Sequence, residues 1–431
     1  MGKYFLLLFI FLPVFSFAAK VNEITAETVS MPPKTLLERF EIKAGDEFNP
    51  QKIKRAEQKL NKYRVFRDLK TIYKEKNDGF DIHIKADDRT FVFPMLFSFN
   101  RGNHALGFSL ESGNLFKKGE YANIFIGGGK HGFDTHGLFS VGNHTFSAGY
   151  LHYNFEQSFY ENGWVSSHDI FNSVDDNGSY GSLLGQVNGK QDVLYFSYKY
   201  QFSSVWSALI KPEYEYYRYQ NNILDTGNHS NITFGLEYVD DVNPSITMSV
   251  LNGMQRLYKK DMLTDLPHVR TGKMVNISYT AGGKLTGSDY NIQKISLGGN
   301  YLWELKNHNV IALFAKVQSA FSSPLSNQIY SSDLLFGMGI YDRDQRGKRG
   351  ASAGIGITYF LLRNKTGLLV LIPFYEQAFI TFGGGSYQQH SGVGATIGYR
   401  WWRVPVPISF NFTHNISDGS HHISCKIGGH F

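Results

Sequence analysis

The chain has 431 residues with 43 basic and 37 acidic side chains, a formal net charge of +6. This mild, dispersed excess belongs to solvated surface and polar interior; it is no nucleic-acid footprint, and no nucleic-acid partner is expected. Aromatics at 15 %, 44 glycines and only 12 prolines suit a chain made mostly of strands, and the one cysteine, Cys425, excludes an internal disulfide framework.

Residues 1–18 have the order of a secretory signal peptide. Lys3 precedes an apolar run from Tyr4 to Phe17, then come Ala18 and Ala19, with cleavage expected after Ala18. No later apolar run can cross a bilayer as a helix: Ala351 to Leu362 is too short and is broken by Arg363.

Residues 20–88 read as a small α+β unit of order β-α-α-β-β. "VNEITAE" is a strand pattern, and "PPKTLLERF" can carry one short helix. A Gly45-Asp46 turn is followed by Pro50 at a helix start, with Ile53, Ala56, Leu60 and Tyr63 on one helical face. "FRDLKTIYKE" and "GFDIHIKA" are strands joined by the turn "KNDG".

From residue 91 to 431 the pattern is alternation. In "SGVGATIGYRWW", Val393, Ala395, Ile397, Tyr399 and Trp401 oppose Gly392, Gly394, Thr396, Gly398 and Arg400. In "PISFNFTHN", Ile408, Phe410 and Phe412 oppose Ser409, Asn411 and Thr413. The polar faces are rich in Gly, Ser and Thr, and the apolar faces end in aromatics. A closed sheet leaves no unpaired backbone edge in lipid. Sixteen such segments run from "FVFPMLFSF" to "HHISCKIGGHF", an even number, while residues 241–271 remain outside the count as a long turn. The expected fold is mainly β: a 16-stranded transmembrane antiparallel β-barrel in the bacterial outer membrane, surrounded by its lipids and preceded by the small unit.

Several stretches carry a family resemblance. "KAGDEFNPQKIKRAEQKL", with Gly45, Asp46 and then Phe66, resembles a POTRA domain, the periplasmic module of the BamA/TamA superfamily of outer-membrane assembly and secretion barrels (bacterial surface antigen family). "NLFKKGEYANIFIGG" resembles that superfamily's turn between its second and third strands. "ISCKIGGHF" resembles its final strand, with Ile427, Gly428 and the terminal Phe431 in place. The charged stretch "IYDRDQRGKRG" falls where the superfamily's sixth extracellular loop turns back into the lumen. Tyr341 fits the aromatic of the loop motif and Arg346–Arg349 fits its second element, but Gly339 and Ile340 stand where an Arg-Gly pair belongs. On the receiving strand "FYEQA", Glu376 fits the acid, Ala378 replaces a glycine, and Thr358 stands for a glutamate one strand earlier.

The resemblance implies a latch in which Arg343 or Arg346, beside Gly347, pairs with Glu376 and holds the loop in the lumen. An Arg fork in a partly dry site needs such a carboxylate. It also implies a function: assisting insertion or translocation of other proteins, in a dedicated or accessory role. An extended client would add to the POTRA sheet edge, and a seam between first and last strands, weakened by Gly428 and Gly429, would open laterally. The altered loop motif leaves an alternative, a passive barrel or small-solute channel. Enzymatic chemistry is not expected: "GASAG" around Ser352 precedes a strand where a nucleophile elbow needs a helix. His421 and His422 are strand neighbours on opposite faces, and neither a cofactor nor a metal is expected.

Overall fold

Alternating small polar and large apolar side chains can satisfy both a wet lumen and a lipid surface only if the strands curl into a wall. The computed structural model describes residues 19–427 except 62–64, 77–78, 89, 101–103, 130–131, 161–162, 167–182, 220–225, 241–271, 306–308, 323, 325–328, 331–333, 335–345, 364–366, 382–386, 402–407, 418 and 420. The expected export signal (1–18), Tyr63 and the long turn 241–271 lie outside the described residues.

The N-terminal unit comprises β1 (Lys20–Thr28), α1 (Pro33–Arg39), α2 (Pro50–Asn61), β2 (Phe66–Lys76) and β3 (Gly79–Asp88). The sheet order is β1-β3-β2, with β1 parallel and β2 antiparallel to β3. Asn49 starts α2 by accepting from the backbone N–H groups of Gln51 and Lys52, with Pro50 next in the chain. Ile53, Ala56 and Leu60 of α2 are buried on Leu69, Ile82 and Ile84 of the sheet. Gly45 sits at φ +93°, in the left-handed region glycine tolerates, and its N–H donates to the Val21 carbonyl. The Val21 N–H donates to the Asp46 carbonyl, so the turn covers the start of the outer edge of β1.

The remaining strands begin with β4 (Phe91–Asn100), β5 (His104–Gly113), β6 (Tyr121–Gly129), β7 (Gly132–Val141), β8 (His144–Tyr160) and the short β9 (Gly163–Ser166). Then come β10 (Leu183–Gln201), β11 (Trp206–Tyr219), the two-residue β12 (Gly227–Asn228), β13 (Asn231–Asp240) and β14 (Gly272–Gly282). β15 (Ile292–Glu304) and β16 (Val310–Ser322) precede β17 (Ile329–Tyr330) and β18 (Arg346–Gly347), which pair with each other. The last five are β19 (Arg349–Arg363), β20 (Gly367–Thr381), β21 (Tyr387–Trp401), β22 (Ile408–Asn415) and β23 (His421–Ile427).

Setting aside β9, β12, β17 and β18, sixteen strands form one antiparallel sheet in meander order, the number and segments expected from the sequence. β8 skips β9 to pair along β10, from Leu183↔Tyr160 to Tyr200↔His144. β23 meets β4 at Ile427↔Ser98, which joins the last strand to the first; residues 428–431 lie outside the described residues.

Burial follows the expected alternation. Phe410 and Phe412 are about half-exposed on the outside, while Ser409, Asn411 and Thr413 are buried inside, where Thr396 Oγ1 donates to Asn411 Oδ1 at 2.7 Å. On β13, β14 and β15, Leu236, Ile277 and Leu297 form one outward row, all exposed. An apolar surface of this extent has a favourable home in hydrocarbon and none in water. Polar pairs line the lumen: Lys199 with Glu237, and Lys211 with Glu213.

This assignment of faces predicts a contrast between neighbours. Ile277→Arg should cost about 2–4 kcal/mol in equilibrium unfolding from lipid vesicles. Ser278→Arg, whose cross-strand partners are Gly235 and Ser296, should cost clearly less. Equal costs would mean that the inner and outer faces are wrongly assigned.

Candidate functional site

Three features set this wall apart: a junction with the N-terminal unit, a loop returned onto the inner surface, and the join between β4 and β23.

The junction is built on Asp88, the last residue of β3, which is fully buried. Its Oδ1 accepts from the Val29 N–H at 2.7 Å and from Ser30, and its Oδ2 accepts from the Met31 N–H and from Asn114 Nδ2 at 3.0 Å. Asn114 starts the turn between β5 and β6 at φ +57°, a conformation Asn adopts more readily than most side chains. Its Oδ1 accepts from the Gly119 N–H, and Glu120 accepts from the N–H groups of Phe116 and Lys118. The turn is therefore closed on itself before it touches the N-terminal unit. Arg39 of α1 donates to the Lys118 carbonyl, and Tyr121, 2 % exposed, belongs to the same apolar core as Leu36, Phe40 and Ile84. One core thus spans the small unit and the wall.

The second feature is the loop between β16 and β19. Ile329 and Leu334 are buried with Ala320, Ala378 and Ile380, side chains of the inner wall. Ser352 Oγ donates to the Leu334 carbonyl at 2.6 Å. The Lys348 N–H donates to the Thr381 carbonyl, and the Lys348 carbonyl accepts from Ala320. At Gly347 a Cβ would collide with the Thr381 carbonyl and the Ile380 side chain, and at Gly350 with Leu334. At Gly347 backbone therefore lies directly on backbone, which a Cβ would prevent, while at Gly350 the missing Cβ leaves room for the Leu334 side chain.

Glu376 sits two residues further along β20, on the same inward face as Ala378. Its cross-strand neighbours are Gly354 and Gly392, yet it has no solvent exposure. Glycines cannot cover a carboxylate, so its cover comes from other side chains, and Glu376 does take part in a polar interaction. Phe314 lies over Gly354, and the Phe374 ring lies over Gly394.

Of the residues expected from the sequence, Glu376 and Gly347 stand on the inner wall as described. The backbone of Arg346 pairs with Tyr330. Tyr341, Arg343, Gly428, Gly429 and Phe431 lie outside the described residues. Ile427 is paired with Ser98 at the seam. Ser352, central in "GASAG", is in mid-strand and serves the loop, without the strand-turn-helix geometry of a nucleophile elbow. Among the described residues no group of three His, Cys, Asp or Glu side chains could hold a metal. Ile329, Leu334 and Asp88 are the positions that sequence reasoning missed, together with the bond from Asn114 to Asp88. Ile329 and the Leu334-Leu335 pair in the run "SNQIYSSDLL" were the available signal for the loop anchors.

No protein-family profile and no curated protein matches the sequence. Solved structures do match. CdiB from Escherichia coli aligns with a TM-score of 0.64 at 11 % identity, covering 96 % of this chain and 77 % of that one. CdiB from Acinetobacter baumannii gives 0.57 at 12 %, covering 95 % and 74 %. BamA from Haemophilus ducreyi lacking POTRA domains 1-3 gives 0.50 at 13 %, covering 96 % and 85 %. At these identities the likeness establishes the fold: a 16-stranded barrel wall of the CdiB and BamA type.

Two outcomes follow. Asp88→Ala strips the acceptor from three backbone N–H groups and from Asn114, and should cost about 2–3 kcal/mol. A lowered thermal midpoint and faster protease cutting between β3 and β4 would register it; an unchanged midpoint would remove Asp88 from its role. Gly347→Val should cost about 1–3 kcal/mol of overpacking and speed cleavage of the loop by protease added to intact cells, with the barrel still folded.

Proposed function

We propose that this protein is an outer-membrane barrel that assists the insertion or translocation of other polypeptides, with the N-terminal unit acting as a single periplasmic POTRA domain. The observation that carries this reading is the architecture: a sixteen-stranded wall whose first strand, β4, meets its last, β23, at Ser98↔Ile427, with a small α+β unit packed into the base of the same wall. In a bilayer an unpaired backbone group costs several kcal/mol, so the join between first and last strands is where one pairing can be exchanged for pairing with a client strand. The fold shared with CdiB and BamA, which are outer-membrane translocation and insertion barrels, supports the same assignment.

In this reading residues 1–18 direct export, and an extended client adds to the outer edge of β2. That edge has no strand partner among the described residues, whereas the start of the β1 edge is occupied by the turn at Gly45-Asp46. The seam then opens laterally, with Gly428 and Gly429 giving it few side chains to unpack. Arg343 or Arg346 pairs with Glu376 and keeps the loop on the inner wall at rest. Such a buried pair fixes conformation more reliably than it adds stability. The surrounding partner is outer-membrane lipid, and no catalytic residue is assigned. Gly339 and Ile340, in place of the superfamily's Arg-Gly, favour the second reading of a passive channel.

A reversible lock separates the two. Paired antiparallel residues have Cα atoms about 4.5–5.5 Å apart, within disulfide reach. Ser98→Cys with Ile427→Cys, in a Cys425→Ser background, should cross-link the seam. The outer-membrane and secreted proteome of the cross-linked strain should then lose the same proteins as a deletion strain, with recovery on reduction. If the locked strain keeps a normal proteome while deletion alters only small-solute uptake, the transport reading fails and the channel reading stands.

A further inference from the structure

The far end of β8, β10 and β11 carries an outward feature that neither the lumen nor the seam uses. Outward parity on β10 is set by Leu194 and Phe196, which are 55 % and 46 % exposed. Following that parity, Tyr150, Leu194 and Tyr214 form one cross-strand row. The next row is His152, Asp192 and Tyr216, flanked by Phe133 of β7. The row after that is Asn154, Lys190 and Arg218. The surface thus changes from a leucine between two tyrosines, through a His-Asp-Tyr row, to a cationic row within three steps of the pleat, on the side of the lipid. The N-terminal unit docks at the Asn114–Glu120 turn, and the β10–β11 hairpin lies at that same end, so these rows are at the opposite rim.

Lys190 and Arg218 are directly opposed and exposed. Like charges in that position destabilise a sheet unless something neutralises them. Asp192 faces them from one row below, but it is one negative charge against two positive. It already accepts from the Tyr150 hydroxyl at 2.5 Å and pairs with His152 Nδ1 at 2.7 Å. Arg218 lies over the Tyr216 ring, 5.8 Å from its centroid, which holds the guanidinium against the wall at the level of the aromatic band. In membrane barrels an aromatic girdle marks the boundary of the hydrocarbon, and the row beyond it lies among lipid headgroups.

We propose that Lys190 and Arg218 form a binding site for the phosphate of an outer-leaflet lipid. The acyl chains would lie along Leu194, Phe196 and Tyr214, and the phosphate would bridge the two cations. Arg supplies a planar fork and Lys a point charge, a common division of labour at phosphates. The inference rests on the membrane placement proposed above but not on transport activity.

The test is native mass spectrometry of the full-length protein released from micelles doped with a bis-phosphorylated glycolipid or with its dephosphorylated form. The wild type should retain the phosphorylated lipid preferentially. Lys190→Gln with Arg218→Gln should lower that preference by about fivefold per cation. The charge-keeping pair Lys190→Arg with Arg218→Lys should keep most of it, as should Lys52→Gln with Lys54→Gln on α2. Heat-modifiable gel migration reports whether each variant is folded. Equal retention of the two lipids by the wild type, or undiminished preference in the folded double Gln variant, overturns the site. Either result leaves the seam-locking experiment unaffected, so failure here and failure of the transport reading are distinguishable.

Discussion

Every other feature of this molecule depends on one requirement: in hydrocarbon, a backbone N–H or C=O without a partner has no water to turn to. Sixteen strands that hydrogen-bond in sequence satisfy it along the wall, and the ring is completed where the last strand meets the first. The meander order, the even strand number and the alternation of side chains all serve that pairing. The join at Ser98 and Ile427 brings together the two strands furthest apart in the sequence. Its place in the ring is fixed by topology.

The inner surface is organised around that wall. The returned loop is attached by main-chain hydrogen bonds at Lys348, by two apolar side chains, Ile329 and Leu334, and by Gly347, where backbones touch. None of these attachments needs a particular charged residue. This explains how a loop without the Arg-Gly pair can still lie on the wall: glycine and backbone make the contact. Glu376 is buried on the same wall between two glycine neighbours.

Much of the architecture was legible because a period of two is hard to counterfeit over sixteen segments. The faces read from "PISFNFTHN" and "SGVGATIGYRWW" are the faces found, since burial on a strand is decided by parity alone. The loop anchors were not legible. Leu334 is an ordinary leucine after a polar run, and its burial comes from wall residues fourteen or more positions away, such as Ala320 and Ser352. The junction was half legible. The turn from Asn114 resembled a motif, but nothing local to it says that Asn114 answers to Asp88, because that bond joins two units with different periodicities. The cationic row was hidden for a related reason: Lys190 and Arg218 become neighbours only once the β10–β11 register is set.

The shared core at Tyr121 has a mechanical consequence. Because the Asn114–Glu120 turn is closed on itself and packed into the small unit, β5 and β6 cannot tilt independently of the N-terminal sheet. β4 follows directly from β3, and Thr90 is hydrogen-bonded to Asn114. A pull on the β2 edge therefore acts through a stiff lever whose short arm ends on β4, the strand beside the seam. Force applied below the membrane becomes torque on the joint between the first strand and the last.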